Sequence, residues 1–180
     1  EYARLIRTAQ RQGDEKLSCL IQTLGSTGIR ISELCHITVE SLRFGMAEIH
    51  NKGKMRRILY PGELQKLLKK YAKKEKIESG PIFRSRSGKP LDRSNIWRMM
   101  KRLSHAAKVD AAKVYPHSMR HLFARCFYKI KKDIAKLADV LGHSSIEITR
   151  IYIKSTGREH KRQLDSMRLV IGDGEQKKTT

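Results

Sequence analysis

Apolar residues recur along most of this chain at the three-and-four spacing of an amphipathic helix, and one stretch alone breaks that rhythm. Residues 1–12 predict a helix with Leu5 and Ile6 inward. Asp14 caps a second helix in which Leu17, Leu20, Ile21 and Leu24 follow the i, i+3, i+4, i+7 rule, and Gly25, Ser26, Thr27 and Gly28 end it. IRISELCHI predicts a short helix from about Ser32 that buries Leu34, Cys35 and Ile37, with Arg30 at the loop-to-helix junction. The exception is MAEIHNKGKMRRILY, residues 46–60: two β-prone runs around Asn51, Lys52, Gly53 and Lys54, a hairpin with a basic tip.

Helical spacing returns over residues 63–76, with Leu64, Leu67, Leu68 and Tyr71 inward. A turn-rich connector with an apolar Ile82-Phe83 pair follows, and Asp92 or Ser94 then caps a helix through Ile96, Met99, Met100 and Leu103. The helix beginning near His117 is expected to bury Leu122, Phe123, Cys126 and Phe127, leaving His117, Arg120 and His121 along another part of its surface. Asp133 caps the next helix, with Ile134, Leu137, Ala138 and Leu141 inward and Gly142 as its stop. Ser144 or Ser145 starts a helix carrying Tyr152. A last helix over residues 155–169 precedes a polar tail, 171–180, expected to be disordered. The pattern gives one domain over residues 1–170, mainly α with a small antiparallel β-sheet (α+β).

Charge narrows the partner. Of 180 residues, 39 are Lys or Arg and 18 Asp or Glu, a net charge of +21 that points to a polyanion, nucleic acid before membrane. No apolar run approaches the roughly 20 residues of a membrane span, and the amino end lacks a signal peptide's apolar core. The chain is therefore expected to be soluble and intracellular. Cys19, Cys35 and Cys126 sit within apolar helical patterns and are expected to be reduced core residues.

If the partner is a DNA phosphodiester, in-line attack builds charge on the non-bridging oxygens, and bidentate arginines are suitable donors. Arg30 and Arg120 are the candidates. His117 and Arg120, as H-S-M-R, lie three apart on one helix face. His117 and His121, at i, i+4, have the spacing of a zinc pair, but no carboxylate lies between them, no third ligand is apparent, and Arg120 would repel a dication. Tyr152, nine positions after His143 (152 − 143), is a candidate nucleophile. With an ordinary pKa of about 10 it needs a base or a cationic pocket, and His117 and His143 can serve. The plainer alternative is a tyrosine packing beside Ile148. Lys52 at the hairpin tip suits the acid for a departing 5′ oxygen, with Lys54 close enough to compete for the assignment. Glu33 can orient an arginine or a histidine. A different class of function stays open: DIAKLADVLGHSSIEITRIYIK also has the form of a helix-turn-helix exposing Glu147, Thr149 and Arg150 to base edges. A pure reader of DNA, however, has no need of Arg30, a basic hairpin tip and H-S-M-R together.

TGIRISEL, NKGKMRR, H-S-M-R, LGHSS and Tyr152, in that order, resemble the catalytic domain of the tyrosine recombinase (phage integrase) family, most closely integrases of bacterial mobile elements. The resemblance implies cleavage and rejoining of DNA through a 3′-phosphotyrosine, for integration and excision of a mobile element. Arg30 and Arg120 match the phosphate-clamping arginines, Lys52 the hairpin lysine, His117 and His143 the two histidines, Tyr152 the nucleophile and Glu33 a supporting acid. Lys54, Arg56 and Arg150 are expected to contact DNA. No cofactor or metal is implied. The implied partners are double-stranded DNA, further copies of the protein in a tetramer on DNA, and accessory DNA-bending proteins; the implied location is the bacterial cytoplasm, at the nucleoid. The family's helical DNA-clamping domain ahead of the catalytic one is not found in this sequence.

Overall fold

The computed structural model describes residues 1–51, 54–143, 145–153 and 166–167. Its organising element is α2 (Glu15–Thr27), which packs against α1 (Tyr2–Arg11), α4 (Gly62–Lys74) and α6 (Pro116–Lys131). Asp14 caps α2 by accepting the Leu17 N–H at 3.0 Å, and Leu20, Ile21 and Leu24 are fully buried. Each such side chain contributes about 1.5–3 kcal/mol of burial. The helix runs on through Gly25–Thr27, because a glycine inside a helix costs only about 1 kcal/mol, and stops at Gly28, whose φ of +62° belongs to a left-handed C-cap.

Arg30 opens the expected short helix, which is a 3₁₀ helix over Ile31–His36. A further short helix, α3 (Val39–Phe44), is capped reciprocally by Thr38 and Ser41 and turns at Gly45 into the hairpin. Strands β1 (Met46–Asn51) and β2 (Lys54–Leu59) pair antiparallel from Met46↔Leu59 to Asn51↔Lys54, burying Ala47, Ile49 and Ile58 on one face. Ile82 and Phe83 seal the core beneath the connector, and Asp92 caps α5 (Arg93–Ala106) by accepting the Asn95 N–H at 2.9 Å.

Tyr115 and Pro116 start α6. Its buried side is the stripe Met119, Arg120 and Ala124, with Phe123 and Phe127 partly buried. That register is one position away from the expected one. Leu122 is therefore only half-buried, Cys126 is exposed, and Arg120 lies on the inner face instead of the surface. Of the three cysteines only Cys19 is a core residue, its thiol pushed up to about 12 by burial; Cys35 is half-buried. Helix α7 (Ile134–Leu141), capped by Asp133 and stopped by Gly142, and the short α8 (Ile146–Arg150), capped by Ser145, lead into the 3₁₀ turn Ile151–Ile153 that carries Tyr152. Ala124, Leu137, Leu141 and Tyr152 form a second, smaller core cluster. Of the helix expected over 155–169 only Ser166 and Met167 are described, as helical; the rest of it and the tail lie outside the described residues. Among the described residues the helices pack chiefly on α2, with one two-stranded sheet beside α3, and no helix is long and apolar enough to cross a membrane.

Candidate active site

Two helix ends create the first half of the site. An α-helix leaves its last carbonyls without intrahelical partners and concentrates partial negative charge there. The Gly28 carbonyl at the end of α2 and the Leu141 carbonyl at the end of α7 both accept from Arg120, the first from Nη1 and the second from Nη2 at 2.6 Å. Arg120 is thereby held at 2% exposure. Burial, and then Arg30 and Arg56, lower its pKa to about 10, which leaves it charged at neutral pH.

The same Nη2 lies 3.0 Å from His143 Nε2. A guanidinium only donates, so Nε2 accepts, and the ring proton of neutral His143 sits on Nδ1. From there it donates to the Thr149 hydroxyl at 2.8 Å, on a side chain with no exposure. Burial first, and then Arg120, Arg30 and Arg56, pull His143 down to about 4, so it is neutral at physiological pH.

Glu33 builds the second half. This carboxylate, 6% exposed, accepts the Arg30 backbone N–H at 2.9 Å, the Arg30 Nη1 at 2.9 Å and the Arg56 Nη2 at 3.2 Å. Arg30 also donates to the Gly142 carbonyl at 3.2 Å, yet 37% of its side chain stays exposed to the cleft. Arg56 donates from Nη1 to the Leu141 carbonyl.

Tyr152 is 9% exposed, and its hydroxyl lies 3.1 Å from His117 Nε2. Its ring stacks on His121, with centroids 4.2 Å apart, and lies 5.2 Å from the ring of His143. Partial burial, then Arg120 and Arg30, lower His117; burial, then His117 and Arg125, lower His121. Three imidazoles, each with its protonated form disfavoured, thus surround one phenol. A cleft of about 1100 Å³ opens onto Arg30, Glu33, Arg120, His117, His143 and Tyr152. Chemically, this offers an oxygen nucleophile, a proton acceptor in contact with it, and fixed cations.

Arg30, Glu33, His117, Arg120, His143 and Tyr152, singled out along a span of more than a hundred residues, therefore converge. Lys52 lies outside the described residues; Lys54 is placed only by its pairing with Asn51 at the hairpin end. Arg56 is turned inward against Glu33 and Leu141. Arg150 is mostly exposed, pairs with Glu147 at 3.0 Å, and does not line the cleft. His121 was weighed in the sequence only as a metal partner of His117, and the structure puts its ring against Tyr152. Among the described residues no group of three or more His, Cys, Asp or Glu is arranged to hold a metal ion. The helix-turn-helix alternative loses Thr149 from its reading surface, since that side chain is sealed against His143 on an α8 only five residues long, while Glu147 and Arg150 stay exposed.

The model of the phage integrase family matches residues 1–159. The chain belongs to that family. It is 35% identical over 150 residues to a tyrosine recombinase of Agathobacter rectalis, covering 79% of this chain and 49% of the relative. It is also 30% identical over 158 residues to tyrosine recombinase XerA of Pyrococcus furiosus, covering 84% and 54%. The chain thus spans about half the length of these curated relatives. A crystal structure of XerA recombinase superposes with a TM-score of 0.78 at 26% identity, over 94% of this chain and 64% of that one. The XerH site-specific recombinase, solved bound to a palindromic difH substrate, shares the fold with a TM-score of 0.77 at 21% identity, over 92% and 50%. The mainly helical phage integrase architecture, with one small antiparallel sheet, agrees with the expectation from sequence.

Proposed function

We propose that this chain is the catalytic part of a site-specific DNA recombinase that cleaves and rejoins strands through Tyr152. The observation that carries the reading is the Tyr152 hydroxyl 3.1 Å from His117 Nε2, in a cleft where Arg30 and Arg120 supply fixed positive charge. In the proposed step the phenol oxygen attacks a DNA phosphorus while its proton passes to a neutral imidazole, His117 by position. The bond to the 5′ oxygen breaks in line, and a 3′-phosphotyrosine forms. Arg30, with its partly exposed guanidinium, takes the non-bridging oxygens. Arg120 and His143 back it from the floor of the site, and Glu33 orients Arg30. Lys52 is assigned the proton that the departing 5′ oxygen takes up. Attack by a 5′-hydroxyl reverses each bond change, so the phosphodiester energy is conserved and no cofactor is consumed.

Double-stranded DNA is the proposed substrate, consistent with a net charge of +21. Integration and excision of a mobile element in the bacterial cytoplasm, self-assembly on DNA and help from DNA-bending proteins belong to the same proposal. Its test is a nicked duplex, from which the cleaved 5′ fragment diffuses away so that the intermediate cannot reseal. With EDTA present, the unmutated chain should give a covalent adduct on a denaturing gel, and Tyr152→Phe should give none while binding DNA about equally. An adduct formed by Tyr152→Phe would remove the nucleophile assignment.

A further inference from the structure

We propose that Arg56 is a positioning residue: from strand β2 its guanidinium ties the hairpin to the α7–α8 turn, through the Leu141 carbonyl on one side and the Glu33 carboxylate on the other. The inference deepens the strand-transfer reading and rests on it, since it concerns how that site is held in shape.

Along β2 the side chains alternate. Met55, Arg57 and Leu59 are exposed, whereas Ile58 and Tyr60 are buried, and Arg56 shares their inward face with a side chain only 11% exposed. Nη1 donates to the Leu141 carbonyl and Nη2 to Glu33 at 3.2 Å. Nε is buried without a partner. A cation is costly in such a place, so it is the two Nη contacts that fix the guanidinium. Each partner of Arg56 is shared with the phosphate clamp: Leu141 also accepts from Arg120, and the same Glu33 oxygen accepts the Arg30 N–H. The turn is shaped to fit. A Cβ at Gly142, where φ is +61°, would overlap Arg56 Cδ. Arg56 thus joins the strand that follows the hairpin tip to the turn that presents His143 and, beyond it, Tyr152.

A DNA-contacting Arg56 and a positioning Arg56 differ in what they predict. The experiment measures DNA affinity and, separately, the single-turnover rate of adduct formation on the nicked duplex at saturating protein, for the unmutated chain, Arg56→Lys and Arg56→Met. A positioning role predicts that both variants lose about tenfold or more in rate while affinity stays within about twofold, because neither side chain reproduces the two-sided contact. It also predicts a difference in pH profile. His143 faces Arg120, Arg30, Arg56 and His117, the Tyr152 ring and the Thr149 hydroxyl, and Asp139 lines the same cleft. Loss of one cation in Arg56→Met should move the acid limb of the rate to higher pH, whereas Arg56→Lys should leave it in place. A lysine variant as fast as the unmutated chain, or a loss of affinity with the rate intact, overturns the proposal.

Hydrogen exchange decides the point without reference to activity. The Gly142 and His143 amides donate to Asp139 and Ala138 at 3.0 Å each. Both should exchange about tenfold faster in either variant, with the α2 amides unchanged as the internal control of folding. Unchanged exchange at the turn refutes the tie. An unmutated chain that forms no adduct counts against the strand-transfer reading, and the exchange result then still stands for or against Arg56.

Discussion

Replacing Thr149 by valine keeps the shape of a fully buried side chain and removes one oxygen, the acceptor of the His143 Nδ1 proton at 2.8 Å. Two outcomes are open to the ring. It can keep its tautomer and leave Nδ1–H buried without a partner, at about 1–3 kcal/mol. Or it can move the proton to Nε2, which then points a donor at the donor Arg120 Nη2, 3.0 Å away. The first loosens the hold on the ring, and the second breaks its contact with the buried guanidinium. If half or more of that energy is felt in the transition state, adduct formation slows by about 2-fold to about 160-fold, since each 1.36 kcal/mol is a factor of ten. The assay is the single-turnover rate on nicked duplex at saturating protein, with affinity measured by fluorescence anisotropy. Thr149→Ser, which keeps the hydroxyl, should stay within a few-fold of the unmutated rate. An unchanged rate in Thr149→Val would refute the hydrogen-bond argument. A changed sequence preference with intact cleavage would return Thr149 to the base-reading role that a helix-turn-helix requires.

Arg30→Lys should slow cleavage by about tenfold or more at nearly unchanged affinity, because a lysine cannot make the two-toothed contact; equal single-turnover rates would take Arg30 out of the clamp. Gly28→Ala combines a φ of +62° with a Cβ 2.5 Å from the Phe123 ring, which should cost about 2–4 kcal/mol in urea denaturation; a loss below about 1 kcal/mol would show that α6 yields at this contact. Folding should also weaken on mild acidification. His117, His121 and His143 are all lowered, His143 to about 4, so the unfolded chain takes up protons that the folded chain refuses. The stability they contribute is complete above the ordinary histidine value of about 6.5 and is lost as pH falls from there toward 4. A denaturation midpoint no lower at pH 5 than at pH 7.5 would contradict this.

What the sequence showed best was local. Asp14, Asp92 and Asp133 cap helices, and Gly28 and Gly142 stop them, because each acts through a backbone only a few residues away. Arg30 was legible at its loop-to-helix junction, and Glu33, three residues on, as a group able to orient an arginine or a histidine. Helix α3 was not, since six residues are too few to display a period. Arg120 was expected on the surface because charge ordinarily stays there; what draws it inward is the meeting of two helix ends distant in sequence. The seal between Thr149 and His143 depends on the same tertiary meeting. The inward turn of Arg56 did have a signal, the period-two alternation with Ile58 and Tyr60, but the basic tip next to it suggested a DNA contact. His121 carried a weaker signal, the i, i+4 spacing from His117, which also fits a metal pair.

Burial and the charge balance of the site act together on its histidines. Arg30 and Arg56 both pair with the Glu33 carboxylate, and Arg120 adds a third cation held by helix-end carbonyls, so the fixed charge of these four side chains is +2 (three positive, one negative). Helix-end carbonyls ease the burial of Arg120 without cancelling a full charge. On the strand-transfer reading, a phosphodiester carrying −1 is attacked by an oxygen that has given up its proton, and the phosphorus centre then carries −2. The protein thus presents its complementary charge before the substrate arrives; burial is the first cause that disfavours the protonated form of His117, His121 and His143, and the arginine charge adds to it, most directly at His117 and His143. A protonated ring beside Tyr152 could not accept the phenol proton. The arginines therefore act twice: they stabilise the charge that develops on phosphorus, and they add to the burial that favours the form of the His117 imidazole able to serve as a base.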